Sequence, residues 1–209
     1  VIFVDWHKTL CSCPFFHHLE KRDASLYDKL EYRLFEEMPI ENFIEWMRGN
    51  ITKKDIVARL AGNDLPVSKV SELLKQGCET MFLDRKDYLK WIRKIRKKGI
   101  KAVIATDNVD TFDEYTVPSL KLMRYFDDIL SSCRLRKLKK DVNGKRLLFF
   151  DDFLKKNGIK YDEAMLIDDD EKTIKLCKHH GMQGKVVRSP EDVLKILMMI
   201  EAGCDRCEY

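Results

Sequence analysis

No stretch of this 209-residue sequence approaches the ~18 consecutive apolar residues that a membrane-spanning helix needs, so the chain offers no candidate span. Internal repeats and low-complexity segments are also missing, which sets aside solenoids and disordered tracts. The chain opens inside an apolar run, with no initiator Met and no basic stretch ahead of an apolar one; no secretory signal is visible, and a removed upstream segment stays open. A second C-x-x-C at zinc-finger spacing is lacking, so Cys204-Asp205-Arg206-Cys207 reads as a terminal stretch with two thiols, to which only Cys11 and Cys13 offer further ligands. The seven cysteines are odd in number and scattered, which fits reduced thiols and a cytoplasmic location better than a disulfide framework. A strong charge of one sign is absent too. Lys and Arg number 39 against 35 Asp and Glu, and a net charge of +4 disfavours nucleic acid as a partner despite the basic runs Arg93–Lys98 and Arg134–Lys140.

What is present describes a soluble globular protein: 44% apolar and 35% charged residues, in a length that buries one substantial core with a smaller appended unit. Its most informative segment is the first, V-I-F-V-D-W-H-K-T-L, a four-residue apolar run that ends at Asp5 with Thr9 four positions on. A buried parallel strand that delivers a carboxylate to the C-terminal edge of a sheet is where α/β proteins place ligands and nucleophiles. The same segment also fits any core strand followed by a turn, because Asp is common at turns.

The second half of the chain alternates. Asp84 is placed to cap a helix with Tyr88, Leu89, Trp91, Ile92 and Ile95 mostly along one side and Gly99 as its stop, followed by the strand A-V-I-A-T at 102–106. Lys145 to Asn157 reads as a helix, A-M-L-I at 164–167 as a strand, Glu171 to His180 as a helix and Lys185-Val186-Val187 as a strand. Ser189-Pro190-Glu191-Asp192 then starts a last helix ending near Gly203. Such alternation predicts a parallel sheet covered on both faces. Residues 15–83 do not alternate. They carry helix-like runs at Asp23–Glu37, Pro39–Arg48, Thr52–Ala61 and Ser68–Gln76, with Thr52 and Asp55 at capping-box spacing. The expected fold class is therefore α/β: a Rossmann-like parallel sheet core of residues 1–14 and 84–209 with an inserted helical cap domain of residues 15–83.

Three predicted strands end in polar residues, at Asp5, Thr106 and Asp168-Asp169-Asp170. In a parallel sheet those ends share one edge, so two acidic sites and a hydroxyl converge in one crevice, where a lysine from Arg134–Lys140 or Lys145 can join them. Acids, lysine and threonine together suit an anionic phosphoryl substrate held with a divalent cation. The runs His17-His18 and His179-His180 point in divergent directions on a helix, and Asp168-Asp169-Asp170-Glu171 lacks the alternate spacing and glycine of an EF-hand loop.

In V-I-F-V-D-W-H-K-T, A-V-I-A-T and M-L-I-D-D, taken in order and spacing, the chain resembles the haloacid dehalogenase-like hydrolase superfamily over nearly its whole length, inserted helices included. The resemblance implies a Mg²⁺-dependent phosphatase of a small phosphorylated metabolite, monomeric or homodimeric. In it Asp5 is the nucleophile that forms an aspartyl-phosphate, Thr106 binds the phosphoryl group, and Asp5, Asp168, Asp169 and the main-chain carbonyl of His7 hold the ion. The lysine of the third motif is Lys139 or Lys140 counting from F-D-D-I-L-S-S, or Lys145 counting back from Gly158; Lys139 is the one adopted, and the usual proline after it is absent. His7 departs from the family pattern, which has an acid there. Three readings follow, in this order: catalytic acid, contact to the cap, and lost activity. Dehalogenase-like or phosphonate-cleaving hydrolysis, and a non-catalytic binding role, are the alternatives.

Overall fold

The computed structural model describes residues 1–203; Cys204 and Cys207 lie outside the described residues. Among these, strands β1 (Ile2–Val4), β2 (Ala102–Thr106) and β3 (Asp128–Ser131) precede a two-residue hairpin, β4 (Val142–Asn143) and β5 (Arg146–Leu147), and then β6 (Met165–Asp168) and β7 (Gln183–Val186). Five of them form one parallel sheet in the order β3-β2-β1-β6-β7. β1 is central, with Val4 level with Ile104 on one side and Ile167 on the other. The order runs outward from β1 through β2 and β3, then restarts on the opposite side with β6. That reversal opens a crevice above the C-terminal ends of β1 and β6, so Asp5 and Asp168 sit at its rim.

Alternation along the strands sorts side chains between two layers. Ile2, Val4, Ile104 and Ile167 face one cluster, and Phe3, Val103, Ala105 and Leu166 face the other. Between β1 and β2 the chain forms α1 (Ala24–Tyr32), α2 (Ile40–Met47), α3 (Lys53–Ala61) and α4 (Val67–Glu79). Their apolar stripes, Leu30, Trp46, Ile56 and Leu74 among them, join the first cluster rather than forming one apart. Downstream lie α5 (Tyr88–Lys97), the short α6 (Val117–Ser119) and α7 (Ser132–Leu135), then α8 (Leu148–Lys156), α9 (Glu171–His179) and α10 (Pro190–Ala202). Leu154 and Phe150 of α8 and Ile174 of α9 pack on the second face; Ile92 of α5 and Leu197 of α10 pack on the first.

Several boundaries differ from the sequence reading. α5 begins at Tyr88 rather than at Asp84, because the Asp84 carboxylate is engaged elsewhere, accepting from Ser12 N (2.9 Å) and Ser12 Oγ (2.7 Å) and so fastening the two ends of the insertion. The run from Lys145 starts as a hairpin strand: Asn143-Gly144 is a hairpin signal, and Gly144 takes the positive φ of 59° that a two-residue loop needs. Asp23 caps α1 through Leu26 N as read, but the helix ends at Tyr32 and winds into a π-helical turn over Arg33–Glu37. The Thr52/Asp55 capping box is present. Gly77, inside α4, has a packing reason: a Cβ there would lie 1.8 Å from Phe15 O, so only glycine lets α4 cross the chain after β1 so closely. No helix among the described residues is long and apolar enough to cross a membrane.

Candidate active site

β1 ends at Val4, and Asp5 N donates to Ile167 O (2.9 Å), which continues the ladder by one residue and fixes where the Asp5 side chain emerges. Asp5 is buried, 3% exposed. Lys139, from the loop after α7, places its ammonium between two carboxylates, donating to Asp5 Oδ1 at 2.8 Å and to Asp168 Oδ2 at 2.6 Å. All three are nine-tenths buried or more, so they are not a surface ion pair. The Lys139 loop is held by its own backbone, since Lys139 N donates to Asp107 Oδ1 (2.9 Å).

Asp168 and its neighbours divide their work. Asp168 Oδ1 accepts from Asp170 N (2.8 Å). Asp170 turns away, capping α9 through Lys172 N (2.9 Å) and Thr173 Oγ1 (2.9 Å) and pairing with Lys140 at 2.5 Å. Asp169 stays at the site. Asp5, Asp168 and Asp169 each offer an oxygen to a group whose atoms all lie within 4.8 Å of one another. Thr106, fully buried at the end of β2, is reached by Asn108 Nδ2 at 3.5 Å.

The charges are unbalanced. Asp5, Asp107, Asp168 and Asp169 surround a single close ammonium. Burial first, and then Asp168 against the opposing pull of Lys139, push the Asp5 carboxyl up to about 7. Burial also raises Asp107 and Asp169, the latter with Asp168 adding to it. Burial draws the Lys139 ammonium down, but Asp5, Asp168 and Asp107 outweigh it and hold its pKa above the ordinary lysine range. Hard oxygen donors carrying surplus negative charge are what a small divalent cation binds, so these residues fit Mg²⁺.

Of the three lysines the spacing allowed, Lys139 alone reaches the carboxylates. Lys140 pairs with Asp170, and Lys145 lies exposed in the β4–β5 hairpin. His7 is exposed and adds no side-chain atom to the carboxylate group; the ligand role implied for it rests on its main-chain carbonyl. Surrounding protein and then the Lys8 ammonium lower its imidazole pKa, against Asp169 and Asp84. Cys11 and Cys13 are buried free thiols in no group of potential ligands among the described residues. Asp107, which positions the Lys139 backbone, was missed from the sequence. Its signal was its place directly after Thr106, at the same sheet edge.

No protein-family profile matches the sequence, and no curated protein matches it. Solved structures do match in shape. A HAD family enzyme from Bacteroides thetaiotaomicron superposes with a TM-score of 0.72 at 16% identity, over 93% of this chain and 96% of that one. The enzyme in complex with magnesium and inorganic phosphate gives 0.66 at 15% identity, over 90% and 93%. L-2-haloacid dehalogenase from Xanthobacter autotrophicus gives 0.64 at 14% identity, over 96% and 86%. The chain thus has the fold of the haloacid dehalogenase-like hydrolases, as the resemblance of its motifs implied.

Proposed function

We propose that the chain is a Mg²⁺-dependent phosphatase that works through an aspartyl-phosphate on Asp5. The observation that carries this reading is the convergence of Asp5, Asp168 and Asp169 within 4.8 Å around the Lys139 ammonium. The side chains of those three acids and the His7 carbonyl would hold the ion, which would supply positive charge against the phosphoryl oxygens. Asp5 attacks phosphorus as the ester O–P bond breaks, and water then displaces the phosphoryl group from Asp5, so that one difficult displacement becomes two easier ones. Lys139 keeps Asp5 and Asp168 in place, and with Thr106 donates to the phosphoryl oxygens as charge shifts onto them. His7 gives a proton to the departing alcohol. Residues 15–83 act as a cap that closes over Asp5 and excludes water. Carbon–halogen hydrolysis by the same nucleophile has no use for a divalent cation, so the surplus of carboxylates that Asp169 completes weighs against it.

Turnover of p-nitrophenyl phosphate with Mg²⁺, its loss on chelation, and acid-stable trapping of phosphate on the wild type but not on Asp5→Asn would support this reading. Turnover that persists in chelator, or survives in Asp5→Asn, would sink it.

A further inference from the structure

Next to the carboxylates, and sharing only Asp107 with them, is a cavity of about 180 Å³. One wall comes from the inserted segment, with Phe15, Phe35, Phe43 and Met47; the facing wall comes from Trp6, immediately after Asp5, and from Phe112. No lysine or arginine is among the residues lining it. Asp107, whose carboxylate accepts from the Lys139 backbone, and His7, two residues after Asp5, are also among its lining residues, which ties the cavity to the carboxylate group.

Its polar groups are few: besides His7 and Asp107 they are Asn108, whose Oδ1 accepts from Val109 N at 2.9 Å, the two threonines and two thiols. Thr116 Oγ1 is committed to Cys78 O at 3.0 Å. Thr111 Oγ1 is fully buried, has no oxygen or nitrogen partner, and lies against the Cys78 thiol. Two π-helical turns shape the walls, Arg33–Glu37 presenting Phe35 and Phe112–Thr116 presenting Phe112 and Thr116. Inserting a residue into a helix turn is costly and recurs at functional sites. Phe35 is 49% exposed. An aromatic ring that shows half its surface to water yet lines a cavity is placed at its mouth.

Resting on the phosphatase reading, we infer that this cavity receives the leaving group of the ester and selects a single uncharged apolar ring, aryl or arylmethyl. Size supports one ring, since an apolar protein cavity of about 150 Å³ holds benzene. Chemistry supports an apolar one: beyond His7, Asp107 and Asn108 the walls are mostly aromatic rings and thioethers, against which the several hydroxyls of a sugar or glycerol, or the charges of a phosphoamino acid, would be desolvated with too few partners.

Four substrates and a product test this. Acetyl phosphate has nothing to fill the cavity and reads the phosphoryl site alone; benzyl phosphate and glycerol 3-phosphate differ in what they place in it. The expected result is a kcat/KM for benzyl phosphate on the order of 10²-fold above that for glycerol 3-phosphate. Cys78→Met, which fills the cavity, should lower the ratio of benzyl to acetyl phosphate kcat/KM about 10-fold. Because added bulk in a buried wall can also unfold the chain, Phe43→Ala is the second variant: by enlarging the cavity it should shift preference from benzyl toward naphthylmethyl phosphate, a gain that mere damage does not produce. Turnover of acetyl phosphate without preference for the benzyl ester, or with neither ratio moved by the variants, overturns the inference and leaves the phosphatase reading intact. Acetyl phosphate left untouched in Mg²⁺ overturns that reading and the leaving-group assignment with it. Benzyl alcohol binding, followed by titration calorimetry, then decides whether the cavity takes a ring at all.

Discussion

Trp46 Nε1 donates to Asp110 Oδ1 at 2.7 Å, joining the insertion to the start of the helical stretch after β2 across 64 residues of sequence. The other Asp110 oxygen accepts from Lys53 N (2.9 Å), at the first turn of α3, so one carboxylate satisfies two donors of the inserted helices. Asp110→Ala should leave a buried indole N–H without its acceptor, at about 1–3 kcal/mol, lowering Tm by several degrees in a chain of this length. Thermal unfolding checks it. An unchanged Tm would mean that packing of Trp46 alone holds α2 in place.

Asp5→Asn should abolish turnover without lowering stability in the absence of Mg²⁺. Four carboxylates around one close ammonium repel one another, and a neutral amide at position 5 removes part of that repulsion while Lys139 keeps Asp168. Added Mg²⁺ should raise the Tm of the wild type and do so less for the variant. A variant several degrees less stable than the metal-free wild type would show that the Asp5–Lys139 bond is a net support of the fold.

Lys139→Met should reduce phosphatase turnover by at least about 10²-fold, as loss of a charge-stabilising donor does, whereas Lys140→Met and Lys145→Met should stay within a few-fold of wild type. Loss of activity in either of the latter two would move the third motif. This choice marks where the sequence stops being informative. Strand ends at Asp5, Thr106 and Asp168 were legible because apolar runs of four or five residues bounded by polar ones leave little freedom in a parallel sheet. The lysine was not, because it sits on a loop, where spacing does not fix direction and only three-dimensional contact separates Lys139 from Lys140. Asp84 misled for a similar reason: an acid ahead of an amphipathic run resembles a cap, yet its partner, Ser12, is 72 residues away in sequence. The cavity was hidden entirely, since its walls combine helices and loops far apart in the chain.

Asp151 should govern acid stability on the far side of the sheet from the insertion. Burial alone would raise its carboxyl, but hydrogen bonds from Lys155, Arg146 and Tyr161 outweigh that and hold it below the usual carboxylate range. An acid whose folded pKa is depressed stabilises the fold above its unfolded value of about 3.9 and loses that contribution as pH falls through the folded one. Asp151→Asn should therefore cost about 1–3 kcal/mol at pH 7, with the gap to wild type closing below about pH 4. Denaturant unfolding at several pH values reads this, and a gap independent of pH would remove charge from the account.

His7 is exposed, lines the cavity and follows Asp5 by two residues, which puts it beside the departing group rather than beside phosphorus. As proton donor to the leaving oxygen, it should matter where that oxygen is basic. His7→Ala should slow alkyl phosphates by on the order of 10²-fold or more, because an alkoxide needs its proton in the transition state. Aryl phosphates should lose little, since a phenolate departs as an anion. His7→Asp, which restores the acid of the family pattern that V-I-F-V-D-W-H-K-T resembles, should preserve or raise the alkyl rate. Equal losses for alkyl and aryl esters would instead make His7 a contact that positions substrate against the inserted helices. In that case the site runs without an acid of its own and favours esters whose alcohols are already acidic.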